Sequence, residues 1–443
     1  MQADKEIPEI QNIVADVLDL AQQKGATQAE ASMSKVQGIS VGTRMQEVET
    51  IEFTNDGGLG ISVYVGAKKG SASTADLSKE ALELTVEKAI QIAKYTSEDK
   101  YSGLADAELM VKAPKDLALY YPRELDTEEG LKMCAEAEGE ALAYDKRIKQ
   151  SDGCSYNANL GARVYGNTHG VNFGYPSSRF GLSCVLIGEH EGDMQRDYAY
   201  GVAREFSDLA DPKSIGRESA HNVVSRLGAK KLDTMNVPVL IHKELASSFL
   251  GHMVSGISGG SLYRKSSFLL DSINTQILPD WFNIYERPHI KKGLASSAFD
   301  NEGVETFDMD IVTNGVLNHY LLASYSARRM GLKTNGHAGG IHNWLISDTG
   351  ESEKELLQKM GTGLYVTELM GQGVNLVTGD YSRGASGFWV ENGEIQYPVH
   401  EVTIAGNLKD MLRNIVAMGA EKELRSSIQA GAILLEKMAI AGN

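Results

Sequence analysis

The sequence predicts an α+β protein of two domains that divide near residue 228. Three observations carry this expectation. At 443 residues the chain exceeds what one ordinary core organises, and each half is long enough to bury a core of its own. Helical and strand periodicities alternate through the first half, whereas strand runs with hairpin turns dominate the second. Between them lies AKKLDTMNVP (229–238), the best boundary candidate.

The elements follow in order. Ile10, Ile13, Val14, Val17, Leu18 and Ala21 recur at helical spacing and predict a first helix ending near Gly25. From Glu30 to Thr74 the pattern turns to short β runs. VETIEF (48–53) and GISVYVG (60–66) flank TNDGG (54–58), which predicts a hairpin turn because Asn, Asp and Gly tolerate positive φ. A second helix carries Leu82, Val86, Ala89, Ile90 and Ala93 on one stripe, with Ser78 as its N-cap. A third follows Asp126 and turns Leu131, Cys134, Ala135, Ala141 and Leu142 inward. Cys134 is thereby a small core residue rather than a nucleophile. Strand texture returns from Ser151 to Ala203, and its turns hold His169 and His190. A helix with Pro212 in its first turn and Gly228 as its stop closes this half.

The second half opens with the strand VPVLIH (237–242), followed by a helix carrying a Ser/Gly-rich stretch from Ser247. Hairpin turns are predicted at Asn314-Gly315 and Asn392-Gly393, and a capping box at Ser352 and Glu355. GVLNHYLLASYS (315–326) and GFWVENGEIQYPVHEVTIAG (387–406) read as strand-rich.

Composition removes several function classes. A net charge of −16 opposes general binding to nucleic acid or anionic lipid, which needs clustered Lys and Arg. Three widely spaced cysteines give neither a disulfide frame nor a zinc knuckle, and fit a reducing compartment. The acidic N-terminus shows no secretory signal and no run of 18 apolar residues occurs, so the expected location is the cytoplasm. GGLGIS lacks the last glycine and the helix of a dinucleotide loop, and no HExxH is present. The ten histidines are scattered; His337 and His342 form the one close pair, in a glycine-rich loop.

Four stretches then acquire a joint meaning: SSFLGHMVSGISGGSLYRKSSFL (247–269), KKGLASSAFDNEGVET (291–306), GVLNHYLLASYSARRMGLKTNGHAGG (315–340) and SSIQAGAILLEKMAIAG (426–442). In this order they closely resemble the PmbA (TldE) branch of the TldD/TldE family, across essentially the whole chain. The family is also labelled a modulator of DNA gyrase. The resemblance implies an α/β N-terminal domain (1–228) and a β-rich C-terminal domain (229–443), in homologous subunits that assemble into a cytoplasmic zinc peptidase.

In the TldD branch, HExxxH on the helix opening the second domain and a cysteine near the C-terminus hold the metal. Its glutamate suits the role of base on zinc-bound water. Laid on this chain, that motif falls on SSFLGH. Ser247 replaces the first histidine, Ser248 the glutamate, and only His252 remains of ligand type. The acidic residues further along fall at Ser255 and Ile257, and the cysteine at Ala430. Serine hydroxyls are poor zinc ligands, and one imidazole does not hold zinc at useful affinity. The resemblance therefore implies no metal in this chain, with zinc in a TldD-type partner. His252 then packs or hydrogen-bonds within the former site, or ligates only when a partner or substrate completes the set.

Three functions stay open on the sequence. One is a non-catalytic subunit that shapes the peptide chamber beside a TldD-type partner, in a homodimer or heterodimer. Its expected peptide contacts are the Ser/Gly helix and the NGHAGG loop, particularly His337, Gly339 and Gly340, because exposed glycine backbone suits pairing with an extended chain. The second is a stand-alone hydrolase with a metal or serine centre of another kind. The third is a protein-binding modulator of gyrase.

Overall fold

The computed structural model describes residues 2–442. The first half contributes α1 (Ala3–Gln23), β1 (Gln28–Arg44), β2 (Glu47–Val65), β3 (Lys68–Thr74) and α2 (Lys79–Tyr95). It continues with α3 (Thr127–Tyr144), β4 (Ile148–Asn167), β5 (Asn172–His190), β6 (Asp193–Ala203) and α4 (Pro212–Ser225). Its six strands form one sheet, ordered β3-β2-β1-β4-β5-β6 and antiparallel at every ladder. One face of β1 puts Ala29, Ala31, Met33, Ile39 and Val41 beneath the helices, as a period of two requires. The predicted caps are present. Ser78 accepts from the Ala81 amide, and Asp126 from those of Glu128 and Glu129.

One turn prediction fails. TNDGG lies inside β2, which runs unbroken for 19 residues, and the chain reverses instead at Met45-Gln46, both at positive φ. Neither Gly57 nor Gly58 has positive φ; they face Lys35 and Ser34 across the ladder. The long pairing with β1 overrides the local turn preference. Cys134 is fully buried in the core, and burial pushes its thiol up to about 12, so it is no nucleophile.

The second half begins with β7 (Met235–Ile241), α5 (Lys243–Ile257), α6 (Gly259–Tyr263), β8 (Ile284–Glu286), β9 (Met309–Thr313), β10 (Val316–Leu317) and α7 (Ser324–Arg329). Then come β11 (Trp344–Ile346), α8 (Glu353–Met360), β12 (Gly363–Met370), β13 (Asp380–Glu391) and β14 (Glu394–Asn407). The last elements are α9 (Leu408–Arg413), β15 (Ile415–Met418), β16 (Ile428–Gln429) and β17 (Ile433–Ala441). The capping box at Ser352 and both Asn-Gly turns are formed. The run 315–326 is mostly not strand: only Val316 and Leu317 pair as β10, and its end enters α7.

Strands β14-β13-β12-β7-β17-β15 make one sheet, and β17 also pairs with β14, closing the ladder on itself. A smaller sheet runs β10-β9-β8-β11-β16. None of the three sheets crosses residue 228 among the described residues. An apolar seam does cross it, joining Met110, Tyr165 and Val171 to Ala298, Phe299 and Val304. Arg328 on α7 adds hydrogen bonds to the carbonyls of Tyr101 and Gly103. Among the described residues no helix is long and apolar enough to cross a membrane.

Candidate functional site

Helix α5 takes its register from Ala246, Phe249, Leu250, Met253 and Ile257, which face the core. Phe249, Leu250 and Met253 each contribute about 1.5–3 kcal/mol on burial. The other face presents Glu244, Ser247, Ser248, Gly251, His252 and Ser255, all partly or fully exposed. Ser248 and His252, four residues apart, stack along it, while Ser247 is rotated from His252 by about 140°. Gly256 and Gly259 are small for internal packing: a Cβ would meet Phe268 at 2.9 Å and Ser326 Oγ at 2.3 Å. Gly251 alone of the three opens on empty space.

Strand β13 supplies the facing wall. Tyr381 and Arg383, two residues apart, share one strand face. Arg383 donates from Nη1 to Ser248 Oγ at 3.2 Å and from Nε to the Gly371 carbonyl at 3.1 Å. The rings of His252 and Tyr381 meet edge to face, centroids 5.9 Å apart. Burial, and secondarily the Arg383 charge, push the His252 imidazole below its ordinary pKa. Burial raises the Tyr381 phenol, with Arg383 opposing it. His252 Nε2 and Tyr381 Oη are both buried without a hydrogen-bond partner.

Ala430, fully buried, follows β16, which packs against α5. The aligned positions thus do lie together, but their chemistry does not fit zinc. Two are neutral hydroxyls, one is a methyl, and the side chain reaching among them is a guanidinium. No set of three or more His, Cys, Asp or Glu side chains among the described residues converges on a metal position.

The 336–340 loop separates the three residues that the sequence grouped. His337 is buried, its Nε2 2.9 Å from Glu286 Oε1, with both side chains at 2 % exposure or less. That approach is an ion pair only with His337 protonated, and it is too oblique for a hydrogen bond. His337 Nδ1 meets Asn335 Oδ1 at 2.9 Å, and Glu286 Oε2 accepts from Trp344 Nε1 at 2.5 Å. Gly339 and Gly340 are exposed, with φ of 107° and 124°, a region that favours glycine. Asp300 ties the loop down by accepting from the Ala338 amide at 2.9 Å, and also from those of Glu302 and Val304. Burial pushes its carboxyl up to about 7 against those bonds. The loop connects to α5 through Asn335, which accepts from the Leu322 amide, and Leu321, whose amide donates to the Ile257 carbonyl.

A cleft of about 1140 Å³ opens where the halves meet at the start of α5. Arg226 lines it from one side, and Glu244, Tyr365 and Arg425 from the other. Arg425 binds Glu244 and Glu423, so the acid one turn before Ser248 is already neutralised. Tyr381, Arg383 and Glu286 escaped the sequence reading. Alternation in DYSR (380–383) would have placed Tyr381 and Arg383 on a common face, but the strand expectation began only at Gly387.

Matches along most of its length define the class: the chain belongs to the PmbA/TldD metallopeptidase family. Residues 29–93 match PmbA/TldA metallopeptidase domain 1, residues 120–227 its central domain and residues 234–442 its C-terminal domain. The chain is 54 % identical over 433 residues to Metalloprotease PmbA of Escherichia coli, covering 98 % of this chain and 96 % of that protein. A Bacteroides thetaiotaomicron crystal structure described as a candidate modulator of DNA gyrase superposes with TM-score 0.93 at 28 % identity, covering 98 % and 99 % of the two chains. TldE from Thermococcus kodakarensis superposes with TM-score 0.85 over 97 % of this chain and 100 % of that one; at 17 % identity it shows the fold alone.

Proposed function

We propose that this chain is the non-catalytic subunit of a two-subunit zinc peptidase, working in the cytoplasm on unstructured peptides. A TldD-type partner supplies the zinc and the base, and this chain shapes the peptide site. The observation that carries the reading is the α5 donor set: Ser247, Ser248 and buried Ala430 leave His252 as the one ligand-type side chain there. Without a carboxylate at position 248 there is also no base on that helix turn to deprotonate a bound water. The halves act as units 1–228 and 229–443, an assignment supported by sheets that stop short of the junction. Exposed Gly339 and Gly340 offer backbone to an extended peptide, with His337 acting from behind by fixing the loop.

Metal content and peptidase activity of the purified chain, alone and mixed with a TldD-type subunit, test this. The expected result is zinc and cleavage only in the mixture. Close to one zinc per chain in the isolated protein, or chelator-sensitive cleavage by it, overturns the proposal.

A further inference from the structure

Between α5 and β13 the charged side chain is a cation, Arg383, at the helix where the resemblance places metal ligands. Arg383 makes two hydrogen bonds to neutral oxygens and has no carboxylate within ion-pair distance among the described residues. A guanidinium carries five N–H donors, so at least two of its hydrogens stay free even with one turned to Tyr381. Tyr381, 1 % exposed, sets its hydroxyl oxygen toward this guanidinium but finds no acceptor for its own hydrogen, and His252 Nε2 is likewise buried without a partner. Arg383 is the one charged group that acts on either of them. Ser248 is exposed and places the rim of the pocket at the surface. Leaving such groups unsatisfied beside an uncompensated cation is costly, and an incoming acceptor with negative charge removes the cost for all of them together.

We propose that Ser248, His252, Tyr381 and Arg383 form a carboxylate-binding pocket, and that the carboxylate is the C-terminal group of a bound peptide. The peptide source rests on the subunit reading above; the carboxylate chemistry does not. The planar fork of Arg383 matches the two oxygens of a carboxylate, with Tyr381 Oη donating from the side. A divalent cation is repelled by the same arginine.

Fluorescence anisotropy of the isolated full chain with a labelled, unstructured tetrapeptide tests this without any partner. The free acid is expected to bind about tenfold more tightly than the C-terminal amide. Arg383→Gln is expected to abolish that preference, Arg383→Lys to keep part of it, and Tyr381→Phe to reduce it about threefold. Circular dichroism melts confirm that each variant is folded. Equal binding of acid and amide, or a preference that survives Arg383→Gln, overturns the pocket. An amide carrying a Glu side chain that binds like the free acid overturns the C-terminal source. Displacement by inorganic phosphate at concentrations matching the peptide acid overturns the carboxylate class. Because the subunit reading is tested by zinc and cleavage in the mixture, the two proposals fail separately.

Discussion

Two histidines in the second half of this chain sit in opposite surroundings. His337 lies in a sealed cluster, with Nδ1 on Asn335, Nε2 2.9 Å from Glu286, and Glu286 also accepting from Trp344. His252 lies against Tyr381 and near Arg383, with its Nε2 and the Tyr381 hydroxyl unpartnered and no acid in attendance. The sequence pointed to His337 as a contact residue and to His252 as a relic. The surroundings suggest the reverse emphasis. A histidine closed in by a carboxylate holds structure, whereas orphaned donors beside a bare cation wait for something to bind.

The sharpest way to break this contrast is to open the closed cluster. Glu286→Ala strips His337 and Trp344 of their buried partner at once. The expected loss is about 1–3 kcal/mol, read as a lower urea midpoint. A loss under about 1 kcal/mol would put the two histidines on the same footing.

The same region carries a pH signature. Asp300 has its carboxyl raised from 3.8 to about 7 by burial. A raised folded-state value means that its stabilising contribution is complete below the ordinary carboxylate range and is lost as pH rises through about 7. Between about pH 4 and 7 this group withdraws roughly 2–4 kcal/mol. Urea midpoints of the wild type and Asp300→Asn across that range check it: the variant should lose the slope, and exchange of the Ala338 amide should no longer accelerate with pH beyond the ordinary base dependence. His252 has the opposite sign. Its depressed value makes its contribution present above about 6.5 and lost as pH falls through the lowered pKa.

Much of this architecture was legible because its signals are local. Ser78, Asp126 and Ser352 announced helix starts, and the Asn-Gly pairs announced turns, through bonds within a few residues. TNDGG was misread because a neighbouring strand of 17 residues, invisible in the local letters, pairs along its whole length with this one. The α5 positions were legible by resemblance, yet their facing wall was not. Arg383 meets Ser248 across 135 residues of chain, and no spacing rule links a helix residue to a strand so remote. Burial of His337 was hidden for the same reason, since Glu286 comes from another strand.

The exposed face of α5 gives a smaller test. Gly251 sits inside a helix where an added β-carbon would meet nothing within 4 Å, so Gly251→Ala should stabilise the chain by about 0.5–1 kcal/mol. If peptide backbone passes over this point, cleavage by the mixed complex should fall while the urea midpoint rises. A gain in stability with full activity would take the peptide path away from this face.

The last test has the smallest energy and the most telling sign. Removing a polar atom from the closed cluster costs stability, but the Tyr381 hydroxyl has no acceptor for its hydrogen and faces only the Arg383 guanidinium. Its burial is a net penalty in the free chain, so Tyr381→Phe should raise stability by about 0.5–1 kcal/mol. The ring still packs against His252, which keeps the apolar contact constant. Differential urea unfolding of the two proteins, repeated with excess free-acid peptide, separates the possibilities. The variant should be the more stable without peptide and should gain less when peptide is added, because the wild-type hydroxyl then has an acceptor. A destabilised variant would mean that the hydroxyl is already bonded within the fold, and the contrast between the two histidines would close.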